Sequence, residues 1–274
     1  MKKESQKSKV KSLPQQAVSR GQKSKILYLF LLFTVHCSLF TVLYGCAATD
    51  LKEEASIHYR LGVVHLNEGN LPSALKELTA AVEKNPDDVA YHNAFGLAYY
   101  YRDLDNDAIK HFKEAIRLDS KFSEARTNLG VVYLKQKRWD DAISEFQIAA
   151  ANIFYTAAET AYTNMGWAYF QKGDNEKAID SYRKAINVNP RYSLAYNNLG
   201  LAYMKVNRDK DAAESFMSAI RYSPNYADAH YNLGLVSIKL KDKSKAQESF
   251  QEVIRLLPNS EMARSAQEKL NLLK

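Results

Sequence analysis

Residues 89–122 read VAYHNAFGLAYYYRDLDNDAIKHFKEAIRLDSKF, and this stretch decides the fold. Its first half gathers Ala94, Phe95, Leu97, Ala98 and Tyr99 around Gly96, and its second half spaces Ala108, Phe112 and Ala115 by four and three. Spacings of three, four and seven on either side of a polar turn describe two amphipathic helices. The frame recurs along the chain. Gly62, Gly96, Gly130, Gly166, Gly200 and Gly234 lie 34, 34, 36, 34 and 34 residues apart. Twelve residues after each stands Ala74, Ala108, Ala142, Ala178, Ala212 or Ala246, and four further on Leu78, Phe112, Phe146, Tyr182, Phe216 or Phe250. A small residue follows three later (Ala81, Ala115, Ala149, Ala185, Ala219, Val253), and Pro86, Pro190, Pro224 and Pro258 close four of the copies. Small residues mark where helix backbones approach, and large ones fill the space between them.

Pattern and period together resemble the tetratricopeptide repeat. The resemblance implies an all-α, right-handed superhelical solenoid of six helix-turn-helix repeats, at 55–88, 89–122, 123–158, 159–192, 193–226 and 227–260. One repeat cannot bury its own apolar face, so the six must stack, with residues 261–274 as a capping helix.

Composition narrows the function. The 274 residues carry a net charge of +7, but residues 1–25 hold eight basic side chains against Glu4, leaving 30 of each sign in the remaining 249. A neutral repeat body argues against nucleic acid. Cys37 and Cys46 are too few for a disulfide framework or a cysteine metal site. No glycine-rich phosphate loop, HExxH or GxSxG occurs, so the reading is a non-enzyme without cofactor, metal or small-molecule substrate. His58, His92 and His230 share the position four before the glycine and read as hydrogen-bonded packing residues; Asp87-Asp88 and Asp140-Asp141 read as helix caps.

Residues 26–45, ILYLFLLFTVHCSLFTVLYG, contain no Asp, Glu, Lys or Arg and come directly after the basic flank. That order directs the flank to the cytoplasm and exports the remainder of the chain. Leu43-Tyr44-Gly45-Cys46 resembles a bacterial lipobox, which implies cleavage after residue 45 and acylation of Cys46. By the same resemblance to sorted lipoproteins, Ala47 implies the outer membrane. A retained transmembrane anchor is the alternative, since about 20 apolar residues can span a bilayer. Asp50 with Glu53 reads as a helix N-cap, which leaves a tether of a few residues between Cys46 and the fold.

The tetratricopeptide resemblance also implies a concave surface lined by the first helix of each repeat. Three positions before the glycine it takes Tyr59, Asn93 and Asn197; one after, Val63, Leu97, Val131, Trp167, Leu201 and Leu235; four after, Leu66, Tyr100, Leu134, Phe170 and Met204. Rows of apolar side chains in register on such a face point to a protein partner supplying an apolar or amphipathic segment. For the row four after, packing against the next repeat is the competing reading. The two extra residues between the third and fourth glycines fall at Asn152-Ile153-Phe154-Tyr155-Thr156-Ala157. There Ile153, Phe154 and Tyr155 make either an exposed apolar tip or a self-packed loop.

Lipobox, short linker, six repeats and the Phe-Tyr-Thr insertion ahead of Ala161-Tyr162-Thr163-Asn164-Met165-Gly166 together resemble the type IV pilus biogenesis and stability lipoproteins, the pilotin family PilF/PilW. Both prolines of that family's insertion are missing here. The resemblance implies a lipid-anchored, non-enzymatic assembly factor whose partner is a secretin subunit. A general envelope scaffold, or an adaptor for a cell-wall or outer-membrane assembly enzyme, is the alternative.

Overall fold

The computed structural model describes residues 50–273. The chain divides into units 1–54 and 55–274, and of the first only residues 50–54 are described. The basic flank, the apolar run and Cys46 lie outside the described residues. Thirteen helices and no strand occur among the described residues. The first, α1, covers residues 50–67. There follow α2 (Leu71–Lys84), α3 (Val89–Tyr101), α4 (Asp105–Leu118), α5 (Ser123–Lys135), α6 (Trp139–Ala151) and α7 (Ala158–Lys172). Then come α8 (Asn175–Val188), α9 (Ser193–Lys205), α10 (Asp209–Tyr222), α11 (Ala227–Lys239), α12 (Lys243–Leu256) and α13 (Glu261–Leu272). Each repeat glycine sits in an odd-numbered helix, and each even-numbered helix packs on the odd helix before it and the one after it.

Local chemistry explains the boundaries. Asp88 caps α3 by accepting from the Ala90 and Tyr91 N–H groups, and Asp242 and Ser260 do the same for α12 and α13. Pro86, Pro190, Pro224 and Pro258 each stand two residues beyond a helix end. Two capping expectations need correction. Asp140 and Asp141 lie inside the first turn of α6, where carboxylates meet the positive end of the helix without capping it. Asp50 is already helical, so it does not cap α1.

The turn within every repeat bends through a left-handed residue seven positions after the glycine. Gly69 and Gly173 take it at φ 74° and 85°, whereas Asp103, Lys137, Asn207 and Lys241 accept φ between 58° and 61°.

The core is one contact repeated. A Cβ at Gly96 would stand 2.6 Å from the ring of Phe112, and at Gly130, Gly166, Gly200 and Gly234 it would meet the equivalent ring at 2.5 to 2.6 Å. Each ring is fully buried. The same ring also packs against the next repeat: Phe112 joins Leu129 and Val132, and Phe216 joins Leu233 and Val236. One side chain therefore ties its own two helices to a third. At the end of the stack α13 contributes Ala263, Ala266 and Leu270 inward, while Arg264, Gln267, Glu268 and Asn271 face out.

The shared histidine position is structural. The ring nitrogens of His92 and His230 lie 2.9 Å from the carbonyls of Pro86 and Pro224, and His58 meets Glu77. His92 is stacked on His111 with their Nδ1 atoms 3.1 Å apart. Burial, and then His92, push the His111 pKa down to about 4.

Tyr182 is the exception among the buried rings. Its hydroxyl has no hydrogen-bond partner among the described residues, and burial raises its pKa. Four equivalent positions carry Phe. Tyr182→Phe is expected to stabilise the fold by ~1 kcal/mol, because an unpaired buried hydroxyl costs about that much or more. Thermal unfolding followed by circular dichroism checks it, with Tm rising by ~2–4 °C.

Candidate protein-binding groove

Odd-numbered helices touch one another across repeats, α3 with α5, α5 with α7, α7 with α9 and α9 with α11. A helix held between two even-numbered neighbours and also abutting the next odd helix needs apolar residues on more than one face. In α5, Ala125, Leu129 and Val132 are buried, while Val131 and Leu134 lie half-buried beside them.

The two apolar rows are neither shut away nor fully open. Val63, Leu97, Val131, Leu201 and Leu235 are half-buried, and Trp167 is 37% exposed. Leu66, Tyr100, Leu134, Phe170 and Met204 are half-buried too, and Ile238 completes the row at 37% exposure. Each packs its inner side on the core: Tyr59, Val63 and Leu66 near Leu78, Leu97, Tyr100, Val131 and Leu134 near Phe112 and Phe146, Phe170, Leu201 and Met204 near Tyr182 and Phe216, and Leu235 near Phe250. Trp167 and Phe170 stack with ring centroids 5.6 Å apart. The rows are thus a continuous apolar floor, already half desolvated. A hollow of about 550 Å³ opens at its first end, lined by Leu66, Asn67, Gly69, Leu71, Leu97 and Tyr101.

Charge is confined to the rim. Lys135 reaches back to Asp103 and Asp105 at 2.7 Å, Lys172 to Asp140, and Lys239 to Asp209 at 3.3 Å. Lys205, at the matching position, lies over the Phe170 ring with its Nζ 6.0 Å from the centroid. These exposed pairs hold repeat to repeat and leave no charge on the floor.

The row three before the glycine departs from expectation. Asn197 is 4% exposed, with Thr127 and Thr163 equally buried. Asn197 accepts from the Asn232 amide at 3.0 Å and donates to Asn198, while half-buried Asn93 accepts from Asn128 at 2.9 Å. A buried amide must be satisfied, and the next repeat supplies the partner, so these side chains bond repeat to repeat and are not offered to a ligand. Tyr59 stacks on Tyr91 at 4.7 Å and is half-buried.

The insertion splits. Asn152 clamps it by donating to the Lys121 carbonyl (3.0 Å) and the Ser123 hydroxyl (2.9 Å) and by accepting from the Phe154 N–H. Tyr155 packs inward with Ala149, Ala150, Ala161 and Tyr162. Ile153 and Phe154 are 88% and 85% exposed beside a hollow of about 330 Å³ that Lys121, Arg126 and Ile148 also line. Among the described residues no group of three His, Cys, Asp or Glu is placed to hold a metal, and no helix is long and apolar enough to cross a membrane.

Family models described as tetratricopeptide repeat match residues 47–89, 59–103, 93–158, 194–226 and 227–260, and one described as TPR repeat matches 166–207. Type IV pilus assembly protein PilF of Pseudomonas aeruginosa is 24% identical over 139 residues, half of this chain and 55% of that protein. The chain thus aligns with about half the length of that curated relative. The solved structure of Pseudomonas aeruginosa PilF superposes with a TM-score of 0.70 at 19% identity, covering 80% of this chain and 99% of that one. PilW, described as a widely conserved type IV pilus biogenesis factor, gives 0.70 at 18% identity over 78% and 98%. YrrB, described as a TPR protein with an unusual peptide-binding site, gives 0.54 at 21% identity over 70% and 97%. At these identities the likeness to solved structures is one of fold.

Asn197→Ala strands the Asn232 amide and is expected to cost ~1–3 kcal/mol. Trp167→Ser on the floor should cost ~1 kcal/mol or less, because much of its surface is already in water. Urea unfolding of the two variants separates bonding residues from surface ones.

Proposed function

Because the chain belongs to the tetratricopeptide-repeat family, we propose that it is a non-enzymatic docking protein that grips an apolar or amphipathic segment of another polypeptide along the odd-helix face. The partner in this reading is a secretin subunit of a type IV pilus machine. The observation that carries it is the double row of half-buried apolar side chains running unbroken through all six repeats. Fold likeness to PilF and PilW supports the choice of partner, and YrrB illustrates that the repeat can carry a peptide-binding site.

Magnitudes bear on how the segment binds. Fully covering an apolar side chain is worth ~1.5–3 kcal/mol, and these are already about half covered, so each contributes roughly 1 kcal/mol. A micromolar complex needs about 8 kcal/mol beyond the ordering costs. One repeat cannot supply that. The bound segment must therefore run across several repeats, as an extended strand or a helix laid in the groove.

The protein works at the membrane in this reading, acylated at Cys46 and held at the outer membrane. With residues 47–49 between the anchor and α1, the reach is only ~10–15 Å. The partner segment must come to that surface.

Leu97→Lys combined with Trp167→Asp places charge on the floor at two repeats. Co-purification with the secretin subunit is expected to fall at least tenfold while helicity and Tm stay close to the parent, and undiminished binding would rule out this face. Cys46→Ser is expected to shift the protein from the membrane to the soluble fraction. Retention of the variant in membranes would instead identify residues 26–45 as an uncleaved anchor.

A further inference from the structure

The first repeat keeps an apolar face that every later repeat buries. Five before, one before and two after the glycine, α1 carries Ile57, Leu61 and Val64, which are 44%, 45% and 50% exposed. At the same three positions the five later repeats carry Tyr91, Phe95 and Ala98; Ala125, Leu129 and Val132; Ala161, Met165 and Ala168; Ala195, Leu199 and Ala202; and Ala229, Leu233 and Val236. All fifteen are 6% exposed or less. What covers them is the even-numbered helix of the preceding repeat, whose buried Leu78, Phe112, Phe146, Tyr182 or Phe216 enters between them. No described helix precedes α1.

Ile57, Leu61 and Val64 fall at i, i+4 and i+7 on one face of the helix. Acidic residues bound that stripe: Asp50 and Glu54 one and two turns before Ile57, Glu68 one turn after Val64. At the position of Glu68 the later repeats carry Arg102, Gln136, Lys172, Val206 and Leu240, none of them acidic. A second copy laid on the stripe would set acid against acid in either direction, and the outward face of α13 is polar, so head-to-tail stacking of copies has no apolar face to offer. An anionic lipid surface is opposed by the same charges.

We propose that this face is a second docking site, for one amphipathic helix of a partner protein that completes the stack in the manner of an even-numbered helix. The helix would carry a small–aromatic–small series at i, i+4 and i+7, with Lys or Arg at both ends to meet Glu68 and the Asp50–Glu54 end. This site lies on a different face of α1 from Tyr59, Val63 and Leu66 and does not depend on the groove reading.

The chain's own α12 has the required chemistry: Ala246, Phe250 and Val253 in series, with Lys243 and Lys245 at one end and Arg255 at the other. The probe is a fluorescein-labelled synthetic peptide of residues 242–258, titrated by anisotropy against the full chain in detergent micelles. The comparison peptide, residues 208–224, keeps the apolar series but opens with Asp209 and Asp211. The 242–258 peptide is expected to bind saturably, and Leu61→Glu, or independently Val64→Glu, to weaken it about tenfold or more with circular dichroism unchanged. The 208–224 peptide should bind more weakly, and the gap should close as salt rises. Three outcomes overturn the proposal: no saturable binding, binding indifferent to Leu61→Glu and Val64→Glu, or equal affinity of the two peptides at low salt. It is likewise overturned if Leu61→Glu instead abolishes self-association in ultracentrifugation or association with phosphatidylglycerol vesicles.

Discussion

A ring pressed against a helix backbone holds this molecule together. Gly96, Gly130, Gly166, Gly200 and Gly234 have no side chain because Phe112, Phe146, Tyr182, Phe216 and Phe250 occupy the place where a Cβ would stand, 2.5 to 2.6 Å from the nearest ring carbon. Such an approach buries the ring completely and lets it reach the next repeat. Interiors packed this closely tolerate no added atom without movement of backbone or ring. Period, stacking and the direction of growth all stem from that contact repeated every 34 residues.

The same contact shapes the surface. Since the ring comes from the even helix, the odd helix is left with a free edge, and neighbouring odd helices meet along it. The residues one and four after the glycine are then too crowded to be fully solvated and too peripheral to be buried. A floor in that condition has already lost part of its water, which lowers the desolvation still required of a partner but also caps what each side chain can contribute. The rim lysines, occupied with carboxylates of the preceding repeat, keep charge away from the floor.

Much of this was legible in the sequence because it is periodic. The glycine ruler, the alanines and the rings twelve and sixteen residues on dictate the helical hairpins, and the apolar rows can be counted off without coordinates. The asparagines could not be read that way. Asn197 and Asn93 occupy a position that tetratricopeptide stacks present to ligands, and only the proximity of Asn232 and Asn128 reveals them as bonds between repeats. The insertion was equally undecided by composition: Tyr155 turns in because Ala149, Ala150 and Ala161 leave it room, while Ile153 and Phe154 find nothing to cover them. Ile57, Leu61 and Val64 were missed because they obey the same pattern as the buried residues of later repeats. The feature that sets them apart is the missing neighbour, which no local pattern records.

The proposal that the odd-helix floor grips another polypeptide can be examined at one side chain. Trp167 sits in the middle of the row at 37% exposure, and Trp139 is the chain's other tryptophan. With Trp139→Phe as background, the emission and acrylamide quenching of Trp167 would be followed while solubilised secretin subunit is added. The account expects a blue shift and a several-fold drop in quenching that saturate together with binding. Binding that saturates while Trp167 emission and quenching stay unchanged would contradict it.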